Sequence, residues 1–329
     1  MFSTNLKKLF LLVLSFSYLG LFSFRAVAQV NQNLDEIIIL TGGTSGVYYP
    51  LGVVLGKIFG DNLPTSKISV LSTKASVENL LMIQAGKGTL AFATADTISL
   101  AWNGNQAAGF SEKLSRLRGV AVLYPNYVHI VARADSNINS IADLRGKRVS
   151  VGARESATEV NARTVFAAAN LTYSDFAKVE YLPFGNSVKM MVDNQIDATI
   201  QSVGLGGTSI KDLSAAIPIK IIPIPPELTY KINDPAYLPA IIPAKTYDQQ
   251  SQDIQTIAIT NLIVTRSDLN VGQGYLLTKL IFENFNELKR SHPAMGQVEI
   301  SKLTMGMPIP FHPGALRYFQ EKGISIPQK

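Results

Sequence analysis

Short apolar runs alternate with helical segments along most of this chain, and this alternation limits the folds available to it. Glu36–Leu40, Lys67–Leu71 and Leu90–Thr94 are apolar runs of strand length, and each is followed by a segment of helical pattern. This order is typical of parallel βαβ units, in which helices cover the faces of a sheet. The sequence therefore predicts an α/β fold with a mixed, mainly parallel sheet flanked by helices.

The same alternation continues in the second half of the chain. Val149–Val151 and Ala198–Gln201 predict strands, and Ala157–Ala169 predicts a helix that begins at an S-x-x-E capping box opened by Ser156. Seven prolines within residues 217–244 exclude long helices and central strands from that segment.

Two long extended runs predict how the chain is divided. Residues 29–126 together with 260–329 are expected to form one lobe, and residues 127–259 a second. The runs near 127–133 and 254–265 are then the two strands that cross between the lobes and act as the hinge. Two lobes joined in this way enclose a cleft that can close on a ligand.

The first 28 residues have the pattern of a cleaved signal peptide. Lys7 and Lys8 form a positive start, Leu9–Phe24 is apolar, and Ala26–Ala28 is an A-x-A cleavage site. An uncleaved membrane anchor is the alternative, but the apolar run is short for a span. The chain has no cysteine, hence no disulfide and no cysteine for a lipid anchor. We therefore expect a freely diffusing periplasmic protein.

Charge and motif content exclude several functions. The leader holds three of the 30 basic residues, so the rest of the chain nearly balances its 24 acidic residues. No block of like charge indicates a nucleic-acid partner. No nucleophile elbow, phosphate-binding loop, dinucleotide fingerprint or H-E-x-x-H motif is present. His129, His292 and His312 lack metal spacing. We predict a monomer that is not an enzyme and that needs no cofactor or metal.

Three polar loops mark the expected binding site. Thr41–Gly46, Ser72–Ser76 and Arg154–Thr158 each open directly into a predicted helix. Helix N-termini offer free N–H groups and partial positive charge, so three of them at the carboxyl ends of strands can hold a carboxylate or similar small anion. The residues predicted to contact the ligand are Gly43, Thr44, Ser45, Tyr48, Thr73, Ser76, Glu78, Arg154, Ser156 and Thr158.

Two charged residues in this set have open alternatives. Arg154 can pair bidentately with a ligand carboxylate, or it can be solvated or paired with Glu155 or Glu159. If it binds the ligand, replacing it with alanine weakens binding by about 1.5–3 kcal/mol. Glu78 can accept from a ligand ammonium group or stabilise the start of its own helix.

Five motifs carry a family resemblance. They are TGGTSGVYYPLG at Thr41–Gly52, STKASVENL at Ser72–Leu80, LYPNYVHIVAR at Leu123–Arg133, DLRGKRVSVG at Asp143–Gly152 and TEVNAR at Thr158–Arg163. Together they resemble the TAXI family, the solute receptors of a branch of TRAP (tripartite ATP-independent periplasmic) transporters. The resemblance implies a type II periplasmic binding fold, delivery to membrane permease subunits driven by an ion gradient, and a glutamate-like or dicarboxylate ligand.

The resemblance also implies which positions bind the ligand: all those predicted above except Ser45 and Arg154. One segment departs from the family pattern, because residues 153–159 replace a glycine-rich P-G-S-G-T-E loop and bring in Arg154 and Glu155. This puts the usual family ligand in doubt. The alternative is an ABC-type receptor for sulfonates or thiamine precursors, which shares the fold. An enzyme on the same scaffold is the less favoured alternative.

Overall fold

A computed structural model of the chain describes residues 34–296 and 298–326. The predicted signal peptide lies outside these residues. Within them, no helix combines the length and the apolar character that crossing a bilayer requires.

One mixed sheet forms the centre of the described part. Its ten strands are β1 Glu36–Leu40, β2 Lys67–Leu71, β3 Leu90–Thr94, β4 Leu117–Arg133, β5 Arg148–Ser150, β6 Lys178–Glu180, β7 Ala198–Val203, β8 Ile219–Ile222, β9 Leu238–Ile242 and β10 Ile254–Arg266. The order across the sheet is β2-β1-β3-β10-β4-β7-β5-β6, with β8 paired to β4 and β9 paired to β10.

Helices follow most of the strands. They are α1 Tyr48–Asn62, α2 Ser76–Gln84, α3 Ala95–Asn103, α4 Ala157–Ala168, α5 Phe184–Val192, α6 Thr208–Ala216, α7 Pro226–Ile232, α8 Val271–Glu283, α9 Phe285–Ser291 and α10 Pro313–Glu321. Short 3₁₀ turns connect several of these elements.

The direction of pairing changes across the sheet. β1 runs parallel to β2 and β3 on one side, and β5 runs parallel to β6 and β7 on the other. Between them, the long strands β4 and β10 pair antiparallel to each other, to β7 and to β3. The two parallel groups are therefore joined through β4 and β10, and the predicted α/β fold class is confirmed.

Strand β4 begins well before the extended run near 127–133 that the sequence predicts, and it includes Pro125. It is one strand of 17 residues, and Pro125 pairs with Thr260 of β10. The register between β4 and β10 shifts between Thr260 and Leu262. Such an irregularity accommodates a proline, which has no N–H to donate to the ladder, so the strand continues through it.

Apolar side chains form two clusters. The larger packs α1, α2, α8 and α10 around β1 and β3, with Phe59, Phe92 and Phe319 fully buried. The smaller lies under β5 and β7 and includes Phe166 and Ile200. Burial of these side chains is the main source of folding free energy, at about 1.5–3 kcal/mol for each large one.

Local predictions fared unevenly. The first three strands begin and end where the sequence predicts. The helical segment that follows β10 is two helices, α8 and α9, which meet at Asn284. The Asn284 amide donates to Leu280 O at 2.9 Å, a local side-chain bond of the kind asparagine forms at helix ends. Residues 217–244 form only short elements, as their prolines predict.

The capping box predicted at α4 is half formed. Ser156 Oγ accepts from the N–H of Glu159 at 3.2 Å. The Glu159 carboxylate does not reach back to the Ser156 N–H. It accepts instead from Arg163 and Tyr173, each at 3.0 Å, because Tyr173 packs beside this turn. The serine still starts the helix at the predicted residue.

Candidate ligand-binding site

A cavity of about 340 Å³ lies where the first turns of α1, α2 and α4 meet the ends of several strands. This volume is in the range of sites for small molecules. Eight of the ten predicted ligand-contacting residues line it, so the structure brings them together: Gly43, Thr44, Ser45, Tyr48, Thr73, Ser76, Ser156 and Thr158. That they bind a ligand remains a prediction.

Asn79, a fully buried residue of α2, holds the first two loops in place. Its amide donates to Thr41 O at 2.7 Å and to Phe92 O at 2.8 Å, and its Oδ1 lies 2.7 Å from the hydroxyl of Thr73. The Thr73 hydroxyl in turn accepts from the Ala75 N–H at 3.0 Å. One buried amide therefore ties the loop after β1, the loop after β2 and strand β3 together.

The third loop depends on a glycine. Gly152 has φ +94°, and a Cβ placed there would lie 2.6 Å from Cγ2 of Thr158. Only glycine allows both this backbone conformation and this contact. The Thr158 hydroxyl then accepts from the N–H of Ser202 at 3.4 Å, which links the start of α4 to β7.

Two residues beside the cavity adopt backbone conformations that side chains disfavour. Ala75, at the start of α2, has φ +82°, and Glu155, just before α4, has φ +61°. Such positions cost about 1–3 kcal/mol each and are common at functional sites. The two loops also meet: Lys74 Nζ lies 2.6 Å from the Glu155 carboxylate, and the Glu78 N–H donates to Glu155 O at 3.2 Å. They bridge the α2 and α4 sides of the cavity.

A chain of buried hydrogen bonds runs beneath the cavity. The Tyr48 hydroxyl donates to Asn261 Oδ1, and the Asn261 amide donates to Asn126 Oδ1 at 2.9 Å. The Asn126 amide donates to Ser202 O at 3.1 Å. Burial raises the pKa of Tyr48, so its hydroxyl keeps the proton that it donates. These bonds fix the floor of the cavity to β4, β7 and β10.

The cavity offers many hydrogen-bond donors and little formal charge. The N–H groups of Ser76 and Val77 in α2, and of Ala157 and Thr158 in α4, have no hydrogen-bond partner among the described residues. No aspartate or glutamate of the described chain lines the cavity, and its one lining cation, Lys74, is paired with a carboxylate. This arrangement suits an anion bound by neutral dipoles.

The two charged residues of the predicted set do not line the cavity. The Arg154 guanidinium lies over the ring of Tyr181, with its carbon 3.7 Å from the ring centroid. Tyr181 directly follows β6, which pairs with β5 just before this loop. Its proposed partners are engaged elsewhere: Glu155 with Lys74, and Glu159 with Arg163. The Glu78 carboxylate accepts from the Lys74 N–H at 2.6 Å, so it organises its own loop.

Other lining residues were not predicted from the sequence. They are Ser72, Lys74, Ala75, Tyr124, Asn126, Ala153, Ala157, Ser202, Val203 and Pro183–Asn186. Tyr124, Asn126 and Ser202 lie inside strands, where polar residues give no separate signal. Ser72, Lys74, Ala75 and Ala157 lie in loops that the sequence did single out. The described residues also hold no group of three or more His, Asp or Glu side chains placed to bind a metal ion.

Comparison with solved structures identifies the fold. A protein from Bordetella bronchiseptica RB50 is 13% identical, covers 88% of this chain and 98% of its own, and superposes with a TM-score of 0.56. A binding protein component of an ABC phosphonate transporter from Pseudomonas aeruginosa is 11% identical, with 80% and 79% covered and a TM-score of 0.53. The fold is that of periplasmic binding proteins.

The sequence itself matches a known family. The family profile extends over residues 39–323, which includes all three loops of the cavity and every strand from β2 to β10. The chain belongs to the NMT1-like family.

Proposed function

We propose that this chain is a periplasmic solute-binding receptor that holds a small anion in the cavity and delivers it to a membrane permease. The observation that carries the proposal is the convergence of α1, α2 and α4, whose first residues line one cavity, together with the N–H groups of α2 and α4 that have no hydrogen-bond partner among the described residues. Each helix N-terminus is equivalent to roughly half a positive charge. Three of them stabilise a bound anion without a paired cation.

Binding is proposed to close two lobes on the ligand. The proposed lobes are residues 29–126 with 260–329, and residues 127–259, and the proposed hinge lies near 127–133 and 254–265, within β4 and β10. Lining residues come from both, for example Thr73 from the first and Thr158 from the second. The smaller apolar cluster lies wholly within residues 127–259, which supports a second lobe there, whereas the larger cluster contains residues of both proposed lobes.

The comparisons support one transporter class over the other. We propose an ABC-type receptor, because the chain belongs to the NMT1-like family and shares its fold with the ABC phosphonate-binding protein of P. aeruginosa. The proposed ligand then carries a phosphonate, sulfonate or similar oxyanion. The second candidate is a TRAP receptor for a carboxylate, which the TAXI-like motifs, above all TGGTSGVYYPLG at Thr41–Gly52, favour.

A thermal-shift panel tests the receptor proposal. Purified protein lacking residues 1–28 is screened with short alkylphosphonates, alkylsulfonates, dicarboxylates and glutamate. A true ligand at 100 times its dissociation constant stabilises the fold by about 2.7 kcal/mol. No response to any anion would contradict the proposal, and the class that responds distinguishes the two candidates.

Uptake measurements then identify the energy source. A permease is first sought among the genes next to this one and reconstituted into vesicles, and uptake of the responding anion is then measured with the receptor present. Uptake by an ABC system requires ATP hydrolysis by the ATPase subunits of the transporter, whereas uptake by a TRAP system requires only an ion gradient across the vesicle membrane. Uptake driven by a gradient without ATP would contradict the ABC assignment and support the second candidate.

A further inference from the structure

A buried carboxylate forms a cluster of hydrogen bonds away from the cavity. Asp96, at the start of α3, is fully buried. Its Oδ2 accepts from the amide of Asn161 at 2.6 Å and from the hydroxyl of Tyr237 at 2.8 Å, and the same amide donates to that hydroxyl at 3.1 Å. These three residues, here called the Asp96 cluster, do not line the cavity.

The members of the Asp96 cluster belong to different proposed lobes. Asp96 follows β3 and lies within residues 29–126. Asn161 of α4 and Tyr237, directly before β9, lie within residues 127–259. The cluster is therefore a fully buried contact between the two proposed lobes, made by side chains that are too far along the chain from one another to belong to one local motif.

The cluster also lies beside the proposed hinge. Thr94, two residues before Asp96, pairs with Asn261 of β10, and Leu238, directly after Tyr237, pairs with Ala258 of the same strand. A rotation of the lobes about β10 moves Asp96 relative to its two partners. A lengthening of about 1 Å is enough to break hydrogen bonds of this kind.

The chemistry of the cluster is not what fold stability alone favours. Thr97 also donates to the carboxylate, at 3.3 Å, but none of its three donor side chains carries a positive charge. Oδ1 of Asn161 is buried and has no partner among the described residues. Such groups are costly to bury unless they are fully paired, whereas water satisfies them once they are exposed. The energy of the cluster therefore depends on whether the lobes are in contact.

Other polar contacts between the proposed lobes are more exposed. The ion pair of Lys74 and Glu155 is half-exposed, and the Arg163 guanidinium, which donates to Ala107 O, is partly exposed. Surface ion pairs contribute little because water and salt screen them. Loss of a donor to a desolvated carboxylate has a larger effect, because the charge is left buried with fewer partners.

We propose that the Asp96 cluster holds the two lobes in the closed conformation, so that Asn161 and Tyr237 act as positioning residues that raise ligand affinity without contacting the ligand. This inference rests on the proposed function and adds to it the residues that control closure. Loss of either donor penalises the closed conformation only, because water supplies the missing hydrogen bond when the lobes are apart. Substitution of either donor therefore shifts the chain toward the open conformation.

Distances between the proposed lobes test the inference without any ligand. The chain has no cysteine, so nitroxide labels can be attached through Val53→Cys in α1 and Lys189→Cys in α5, two exposed positions in different proposed lobes. Double electron–electron resonance compares this labelled pair in the parent chain, in Tyr237→Phe and in Asn161→Ala. Both substitutions are expected to create or enlarge a population with greater separation of the labels.

Calorimetry measures the same shift through binding. Methylphosphonate, ethanesulfonate, succinate and glutamate are each titrated into the parent and the two variants. If the ligand-free parent is mostly open, each variant is expected to bind the responding anion about tenfold or more weakly, because the closed fraction falls. If the parent is mostly closed, the shift appears in the label distances instead.

Tyr173→Phe is the matched control. The Tyr173 hydroxyl donates to the Glu159 carboxylate at 3.0 Å, but both residues belong to the second proposed lobe and neither lines the cavity. The substitution removes a hydrogen bond from a phenol to a carboxylate that separation of the lobes leaves intact. Label distances and anion affinity are therefore expected to match those of the parent. Urea denaturation of every variant records losses of fold stability separately.

The combined results decide the inference. Greater label separation or weaker binding in both cluster variants, but not in Tyr173→Phe, supports it. Label distances and affinity equal to those of the parent in either cluster variant would show that the cluster only stabilises the fold, and would overturn the inference while the receptor proposal stands. An equal change in the control also overturns it. If no anion binds the parent, the proposed function fails, and the label distances alone decide the inference.

Discussion

The buried imidazole of His129 makes the stability of this fold sensitive to acid. His129 lies in β4 and is fully buried. Its Nδ1 is 2.8 Å from Tyr127 O, and its Nε2 is 2.9 Å from the hydroxyl of Tyr247. The neutral ring with its proton on Nδ1 satisfies both contacts, donating to the carbonyl and accepting from the phenol. A second proton would leave the phenol facing a donor.

The direction in which burial shifts the pKa of His129 determines how the stability of the fold changes with pH. Burial lowers the pKa of His129 from 6.5 to about 4. Below pH 6.5 the unfolded chain therefore binds a proton that the folded chain does not. The stabilisation is present above pH 6.5 and is lost as the pH falls toward 4. A shift of this size corresponds to about 3 kcal/mol across the window, since one pKa unit is about 1.4 kcal/mol.

Urea denaturation at half-unit steps from pH 7.5 to pH 4 measures this slope. His129→Gln removes the titrating group and keeps an amide that can donate or accept. The variant is expected to be less stable at pH 7.5 but to lose about 3 kcal/mol less than the parent on acidification. Carboxylates titrate in both proteins, so the difference between the two slopes isolates the histidine. Parallel slopes would refute the assignment of a neutral buried ring.

Three further substitutions check other parts of the structure. Arg154→Ala should leave ligand affinity in calorimetry within about twofold, because the guanidinium stacks on Tyr181 outside the cavity; a tenfold loss would restore it as a ligand contact. Gly314→Ala should lower the free energy of unfolding in urea by about 1–3 kcal/mol or more, since its Cβ would lie 2.2 Å from a backbone nitrogen of α8. Asn261→Leu should cost about 3 kcal/mol in the same assay by leaving the Tyr48 hydroxyl and neighbouring carbonyl oxygens unpaired, and adding Tyr48→Phe should recover part of it.

The sequence predicts the fold well because the signals for it are local. Apolar runs bounded by polar loops locate the first three strands to the residue. A serine that accepts from a backbone N–H three residues later locates the start of α4. Continuity of β4 through Pro125 is not local, since it depends on how β10 pairs with that residue. Predictions of where an element begins or ends failed where the bounds depend on pairing or packing with another strand or helix.

The same distinction, between local signals and outcomes that depend on a neighbouring element, explains which residues of the cavity could be predicted. Loops at the ends of strands were predicted because glycines, serines and threonines gather there, and the structure places them around one cavity. Arg154 and Glu78 had the right position along the chain, but side-chain direction depends on neighbours such as the Tyr181 ring. Tyr124 and Ser202 were missed since tyrosine and serine inside strands are ordinary in sequence.

A receptor that holds its ligand with neutral groups meets a requirement of transport. A fully desolvated ion pair between protein and ligand is costly to separate, because each charge is left without its partner. Helix N-termini and hydroxyls can exchange the ligand for water at less cost, because none carries a full charge. Here the lining lysine is paired with Glu155 rather than left free. If the chain is the receptor proposed above, its cavity combines specific recognition through many hydrogen bonds with the ready release that delivery to a permease demands.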